Sequence, residues 1–517
     1  MSCPLVAQGG VTFRCVVNAV GSDAATVLER DARVMRWLVA SCFFFYLLLA
    51  HGHFKTSDEI GVYEATAAIW QNGNLVVGPG PHVFEGPDGR LYSHFSIGQS
   101  LLAMPFYVAG ELASALLPRA VEEAIAGPMR PPRGRTGGNI RITAVSVYGA
   151  AASALLVGLF FRVQRELGAS LRAALAAAAS LGIGTYLVLH SAYFLRHTTV
   201  AITILGALYG FHRYRADGSL RTLALASAVA SVTFVVRLPA GIAGPALGGY
   251  LAWILWERAR AGDPAVRTGR ALLAIAGPFL AACAIQLGTN HARWGVWFGS
   301  PMVDQIGSFT TPIWVGLRGL LLSSGSSIFL YSPPLLLLPW ILPGLWQRQR
   351  ALCTAALAVV LTFLLVSSTF WSWSGLWSSP GPRYLFVATP LLLLPVGLWL
   401  DAGRGRRRWI ALGALTAVGA IVELGLILAR WRTVVHVMDY RRWEPGMEFL
   451  FIPDQSPILA AWPVIADGGI DAWLWWLAEG WVQHPGQPLI AAILLVLGIA
   501  VVGHCLRKLY QAVTRSA

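Results

Sequence analysis

Two adjacent carboxylates, Asp58 and Glu59, stand just past the first long apolar run of a 517-residue chain. A carboxylate at such an edge can act as a general base, taking a proton from an alcohol. The same stretch also fits a plainer role. Thr56 and Glu59 have capping-box spacing ahead of a helical pattern over residues 60–70, and acids favour a helix's first turn, each effect contributing about 1 kcal/mol. Further on, Asp88-Gly89 signals a turn, after which Arg90, Tyr92 and His94 alternate as on one face of an extended strand. That face would present cationic and hydroxyl groups to a phosphate; an aromatic interfacial belt with a snorkelling arginine is the competing explanation.

The elements that must position these residues are membrane helices. Apolar residues make up 56 % of the chain and charged residues 12 %, against about 25 % charged in an ordinary soluble protein. This balance excludes a disordered chain, a disulfide-stapled secreted module and a typical soluble enzyme. Runs at 37–54, 142–161, 173–190, 198–211, 222–236 and 238–256 are long and apolar, as are those at 271–287, 328–345, 351–366, 384–400, 409–429 and 489–503. They predict about twelve spans by the length rule. The six cysteines have no CxxC spacing and read as structural thiols. The charged N-terminal stretch, without a small-residue cleavage site, does not read as a signal peptide.

Charge sets the orientation. The net charge is +14, and the only lysines are Lys55 and Lys508. With a cytoplasmic N-terminus, and with 97–117 lying as a re-entrant or interfacial helix that does not cross, the inside loops collect the arginines. These are Arg162, Arg165 and Arg172; Arg213, Arg215 and Arg221; Arg258, Arg260, Arg267 and Arg270; Arg348 and Arg350; and Arg404 with Arg406, Arg407 and Arg408. A crossing at 97–117 would put every one of these clusters outside, against the positive-inside rule. The exception is Arg119, Arg130, Arg133, Arg135 and Arg141, which then lie outside. The outer segments are the long ones, so chemistry is expected there.

The acidic pair followed by DGRLYSHFSIGQSLLAMPFYVAG resembles the polytopic, lipid-carrier-dependent glycosyltransferases of the C-type superfold (GT-C). That group includes relatives of the protein O-mannosyltransferases and of the lipid A aminoarabinose transferase. Three later segments fit the same bacterial group: NHARWGVWFGSP from Asn290, GLRGLLLSSGSSIFLYSPP from Gly316, and WSSPGPRYL from Trp377. The resemblance implies an all-α polytopic membrane protein with a GT-C fold and juxtamembrane helices in the first outer loop. Its expected divisions are a cytoplasmic arm over 1–36, a transmembrane catalytic domain over 37–431 with an outer loop at 55–141, an extracytoplasmic loop over 432–488, and a last span and cytoplasmic tail over 489–517. It also implies a multi-pass protein of the plasma (inner) membrane.

The implied reaction moves a sugar from a polyprenyl-phosphate donor to the hydroxyl of a glycan, lipid or protein acceptor, with inversion. By resemblance Asp58 is the catalytic acid-base residue and Glu59 its partner, the pair repelling so that only one need be ionised. Arg383 is the first choice for a phosphate ligand, because a guanidinium forks onto phosphate oxygens. Arg293 and His94 follow, and Tyr92, Gln99 and Tyr331 are candidates to orient sugar or phosphate. Belt aromatics, snorkelling span ends and helix caps compete with these roles. Two departures stand out: His94 occupies a position where the family often has Lys, and the loop His190-Ser-Ala-Tyr-Phe-Leu-Arg-His197 lacks the acid often found there. No HxxH spacing, Walker motif or dinucleotide fingerprint occurs. No cofactor or metal is therefore expected, and membrane lipids rather than nucleic acid are the expected neighbours of the GRGRRRW run at 403–409. Glu423 lies inside a span, where an ionisable residue is functional or hydrogen-bonded. A transporter or flippase of lipid-linked sugars is the alternative reading; it calls for helices broken at mid-membrane, and the sequence offers one break, at Arg237-Leu238-Pro239, at a span end.

Overall fold

The computed structural model describes residues 12–119, 121–122, 139–299, 308–376, 379–403, 405–438, 448–479 and 487–514. Arg130, Arg133, Arg135, Ser300, Pro301, Trp377, Ser378 and Arg404, named above, lie outside them. The chain is an all-α polytopic membrane protein. Among the described residues, six helices are long and apolar enough to cross a bilayer, at Ile140–Glu166, Leu238–Arg260, Arg270–Trp294, Arg350–Thr369, Arg406–Leu428 and Pro488–Thr514. Shorter apolar helices, such as Leu171–Ile183 and Leu220–Val236, fill in between them. The Gly98–Leu116 helix, interrupted by Pro105, packs on Ser57–Asn72 and Asn139–Glu166 and is not one of the six.

Three runs that read as continuous spans are broken. The first divides at Gly184 into Leu171–Ile183 and Leu187–Ser191. A close crossing explains the break: a Cβ on Gly419 would lie 2.0 Å from the Gly184 carbonyl oxygen. The second divides into Ile328–Tyr331, a 3₁₀ turn at Pro333–Leu337, and Leu338–Arg348, because Pro333 and Pro334 supply no N–H to continue an α-ladder. The third divides into Arg383–Leu385, Ala388–Leu392 and Val396–Asp401, with Pro395 capping the last piece. Hydropathy averages over such breaks, which is why the sequence showed only the one at Arg237. There the backbone turns extended between the Leu220–Val236 helix and a 3₁₀ turn over Leu238–Ala243.

The two ends of the bundle differ in chemistry. At one end the basic loops are tied to local acids: Arg165 to Asp31 at 2.7 Å, Ser170 to Asp401 at 2.7 Å, Arg215 to Glu257 at 2.8 Å, and Arg258 to Asp263 at 2.6 Å. The other end gathers the termini of the opposite polarity. Here the chain leaves the first helix, Thr12–Leu48, starts the His197–Asp217 helix after Arg196, ends Leu220–Val236 at Arg237, and ends Arg270–Trp294 beside Arg293. A hairpin closes over it, with Val83–Glu85 antiparallel to Leu91–Ser93 and Phe84 opposite Tyr92.

The segment over 448–479 is strapped to the start of this end. Asp471, buried, accepts from His53 Nε2 at 2.8 Å and Trp476 Nε1 at 2.9 Å and pairs with the buried Lys55 Nζ at 2.8 Å. Backbone bonds reinforce the strap: the Trp473 N–H donates to the Ala50 carbonyl at 2.9 Å and the Asp471 N–H to the Leu428 carbonyl at 2.7 Å. Lys55 precedes the Thr56 cap by one residue, so the strap fixes the entry to the helix that carries Asp58. Asp471→Asn is expected to destabilise the protein by about 3–5 kcal/mol, because it strands a buried ammonium. The paired replacement Lys55→Met/Asp471→Leu should recover most of that loss, as read from thermal unfolding midpoints in detergent.

Candidate active site

Local capping sets the position of Asp58. Thr56, extended at φ −121° and ψ 151°, caps the Ser57–Asn72 helix, its hydroxyl accepting from the Glu59 N–H at 3.2 Å. Glu59 reaches back: one carboxylate oxygen accepts from the Lys55 and Thr56 N–H groups, both at 2.9 Å, and the other from the Phe194 N–H at 2.7 Å. Glu59 is 1 % exposed. Burial pushes its carboxyl above the usual range, while those N–H donors pull against the shift. The expected carboxylate pair is thus divided by geometry, with Glu59 stapling the helix start to the Phe194 loop and Asp58 turned toward Arg383, Arg196 and His82.

Asp58 faces cations. Its Oδ2 lies 3.4 Å from Arg383 Nη1 and 3.9 Å from Arg196 Nη2, and its Oδ1 lies 3.4 Å from His82 Nε2. Burial pushes its carboxyl up, but Arg383, Arg196, His82 and Arg237 outweigh it and hold it below the ordinary Asp value. Its side chain is 16 % exposed, against 6 % for Arg383 and 9 % for Arg196. The carboxylate is therefore more reachable than the two guanidiniums beside it.

Each cation is held by an aromatic neighbour. The Arg196 guanidinium lies 4.1 Å over the Phe95 ring, and burial brings it down to about 10 while Asp58 supports its charge. Arg237 lies 5.4 Å over the Tyr384 ring, and Arg383 Nη2 donates to the Tyr384 hydroxyl at 2.8 Å. Burial works against the Arg383 charge, but Tyr384 and Asp58 outweigh it and raise its affinity for the proton. Gly375, at φ +70°, leaves room for the Arg383 stem, which a Cβ there would meet at 2.5 Å. His82 holds a left-handed backbone at φ 59°, uncommon for a residue with a Cβ. Its Nε2 also meets the Ser57 hydroxyl at 2.8 Å, so it bridges the helix start and the hairpin. Burial and the two arginines lower its proton affinity, and Asp58 opposes them.

The remaining residues singled out in the sequence lie around this cluster rather than in it. Arg293 donates to the Ser93 and Phe95 carbonyls at 2.7 and 2.8 Å, clamping the strand that leads to the site. His94 packs tilted against Phe95 with centroids 4.1 Å apart, and burial brings it down to about 3. Tyr92 donates to Asp88 at 2.6 Å, and Arg90 stands exposed beside the same carboxylate. Gln99 is buried, its carbonyl accepting from the Thr199 hydroxyl at 2.8 Å. Tyr331 donates to the Gly325 carbonyl at 3.0 Å and packs edge-on against Tyr186. Glu423 is fully buried within its helix. No group of three potential metal ligands occurs among the described residues.

Sequence reasoning missed Arg196, Arg237, His82 and Tyr384. Arg196 lies in the loop noted for its missing acid, and Arg237 in the one visible helix break. Both carried a signal: a basic residue at the edge of an apolar run on the end with few other cations.

No protein-family model matches the chain, and no curated protein matches it. Among solved structures it is similar to ArnT from Cupriavidus metallidurans in the apo state, with 16 % identity and a TM-score of 0.45, over 95 % of this chain and 78 % of that one. The same protein bound to undecaprenyl phosphate matches with 15 % identity and a TM-score of 0.46, over the same shares.

Replacing Arg383 by Gln removes the strongest cation beside Asp58 and leaves burial to dominate. The Asp58 carboxyl is then expected to protonate at higher pH than in the wild type. Infrared titration of its carboxyl band, identified by its loss in Asp58→Asn, measures the shift.

Proposed function

We propose that the chain is a membrane glycosyltransferase that moves a sugar from a polyprenyl-phosphate donor to an acceptor hydroxyl at the outer face of the plasma membrane. One observation carries this reading: a single reachable carboxylate stands among three guanidiniums at one end of an apolar bundle. Three cations against one anion leave an excess of positive charge in a poorly solvated place, which an anionic ligand would offset. A phosphate carried on a lipid reaches this depth with its own anchor. The segregation of the basic loops to the opposite end supports a cytoplasmic N-terminus and an outward-facing site.

In the resting site the guanidiniums hold Asp58 ionised. A bound phosphodiester offsets part of their charge, and the Asp58 carboxylate becomes more basic. It then takes the proton of the acceptor hydroxyl as that oxygen attacks the anomeric carbon. The carbon–oxygen bond to phosphate breaks, and the polyprenyl phosphate leaves with the bonding pair. Arg383, Arg196 and Arg237 stabilise the charge that grows on it, which is the larger electrostatic contribution in such transfers. His82, more exposed than Asp58, lies on the path by which the proton leaves. Attack from the face opposite the phosphate inverts the anomeric centre.

The three broken apolar runs favour a second reading, a transporter of lipid-linked sugars. Asp58→Asn separates the two. With the glycosyltransferase, sugar transfer in membranes supplied with polyprenyl-phospho-sugar falls by about 10²–10⁴-fold. Binding of undecaprenyl phosphate is retained or tightens, because a competing negative charge is gone. Full turnover in this variant would remove Asp58 as the base. Intact lipid-linked sugar accumulating on the inner leaflet of a deletion strain would favour the transporter.

A further inference from the structure

Beside the guanidiniums lies a set of buried polar groups that the reaction above does not use. His190 is 2 % exposed and His197 5 %, and neither ring nitrogen of either one has a hydrogen-bond partner. Their ring centroids are 5.6 Å apart. The Thr198 hydroxyl and the Gln99 amide nitrogen, both buried, are likewise without partners. Buried polar groups in native proteins are nearly always bonded to protein, ordered water or a ligand. Four of these unpartnered atoms belong to two imidazoles packed side by side, and together they call for a polar partner.

The place is continuous with the phosphate end. His197 directly follows Arg196, and its ring lies 5.9 Å from that of Tyr384, whose hydroxyl receives Arg383. The His190 ring lies 4.3 Å from Phe386, which supplies an apolar wall. A neutral imidazole has one donor and one acceptor, an amide nitrogen has donors, and a hydroxyl has both. This set matches alcohol groups, which also donate and accept. Glu423 is set apart from it, beside the Leu189 backbone with Tyr186 and Tyr331.

We propose that His190 and His197 form the subsite for the hydroxyl groups of the donor sugar, and that the two imidazoles set which sugar is accepted. The inference rests on the glycosyltransferase reading. It explains why the loop from His190 to His197 carries no acid: a ring recognised through its hydroxyls needs neutral partners that both give and take hydrogen bonds.

The test uses the full-length protein in nanodiscs, with undecaprenyl phosphate and with undecaprenyl phosphate bearing mannose, glucose, galactose or arabinose. The wild type is expected to bind one sugar-bearing lipid about tenfold more tightly than the sugarless one. His190→Phe and His197→Phe, which keep a planar ring against Phe386 and Tyr384, should abolish that preference while the sugarless lipid binds within about twofold of wild type. His190→Gln, which keeps a donor and an acceptor, should restore part of it. A wild type without any sugar preference, a preference intact in both Phe variants, or equal loss of both lipids from folded variants would overturn the subsite alone. A wild type that binds none of the lipid phosphates would overturn the glycosyltransferase reading, and the subsite with it.

Discussion

A single carboxylate among three guanidiniums is the constraint on which the active end depends. Arginine remains charged when buried, so Arg383, Arg196 and Arg237 cannot escape the cost of desolvation by losing protons as lysines can. Asp58 offsets only part of that charge. The remainder is tolerated in part because tyrosine and phenylalanine rings face the guanidiniums. The same imbalance that costs stability leaves the cluster with an excess of positive charge.

Holding such a cluster together needs rigid supports, and these come from residues that do no chemistry. Glu59 spends both carboxylate oxygens on backbone N–H groups from two parts of the chain, joining the Asp58 helix to the loop that ends in Arg196. Arg293 clamps the hairpin strand through two carbonyls, and the Lys55–Asp471 pair ties the segment over 448–479 to the entry of that helix. That segment is thus part of the framework around Asp58 and not an appendage to it.

The broken helices make the cluster possible. An unbroken helix offers side chains only at its own spacing, and its backbone is closed to other partners. The breaks at Gly184 and Pro333, and the turn that follows Pro382, instead let short pieces turn inward, bringing Tyr186, His190, Tyr331 and Arg383 to one place. Gly381, at φ +82°, lies so close to the Tyr331 and Tyr186 rings that a Cβ there would meet them at 2.6 and 2.9 Å. Bends of this kind cost little where the freed backbone groups face protein instead of lipid.

Much of this was legible in the chain itself. Long apolar runs require helices in lipid, whatever their neighbours, so the all-α membrane architecture follows from composition and run length alone. The turn at Asp88-Gly89 and the cap at Thr56 are equally local, each depending on residues within a few positions. Asp58 and Arg383 were readable as reactive types at run edges. The role of Glu59 was not, because the Phe194 N–H that claims it is 135 residues away. Nor were Arg196, Arg237 and His82, which come together with Asp58 and Arg383 only where five separate segments converge. A side chain's type is written in the sequence, but its charge partners and its solvation are properties of the space around it, and only the folded chain decides those.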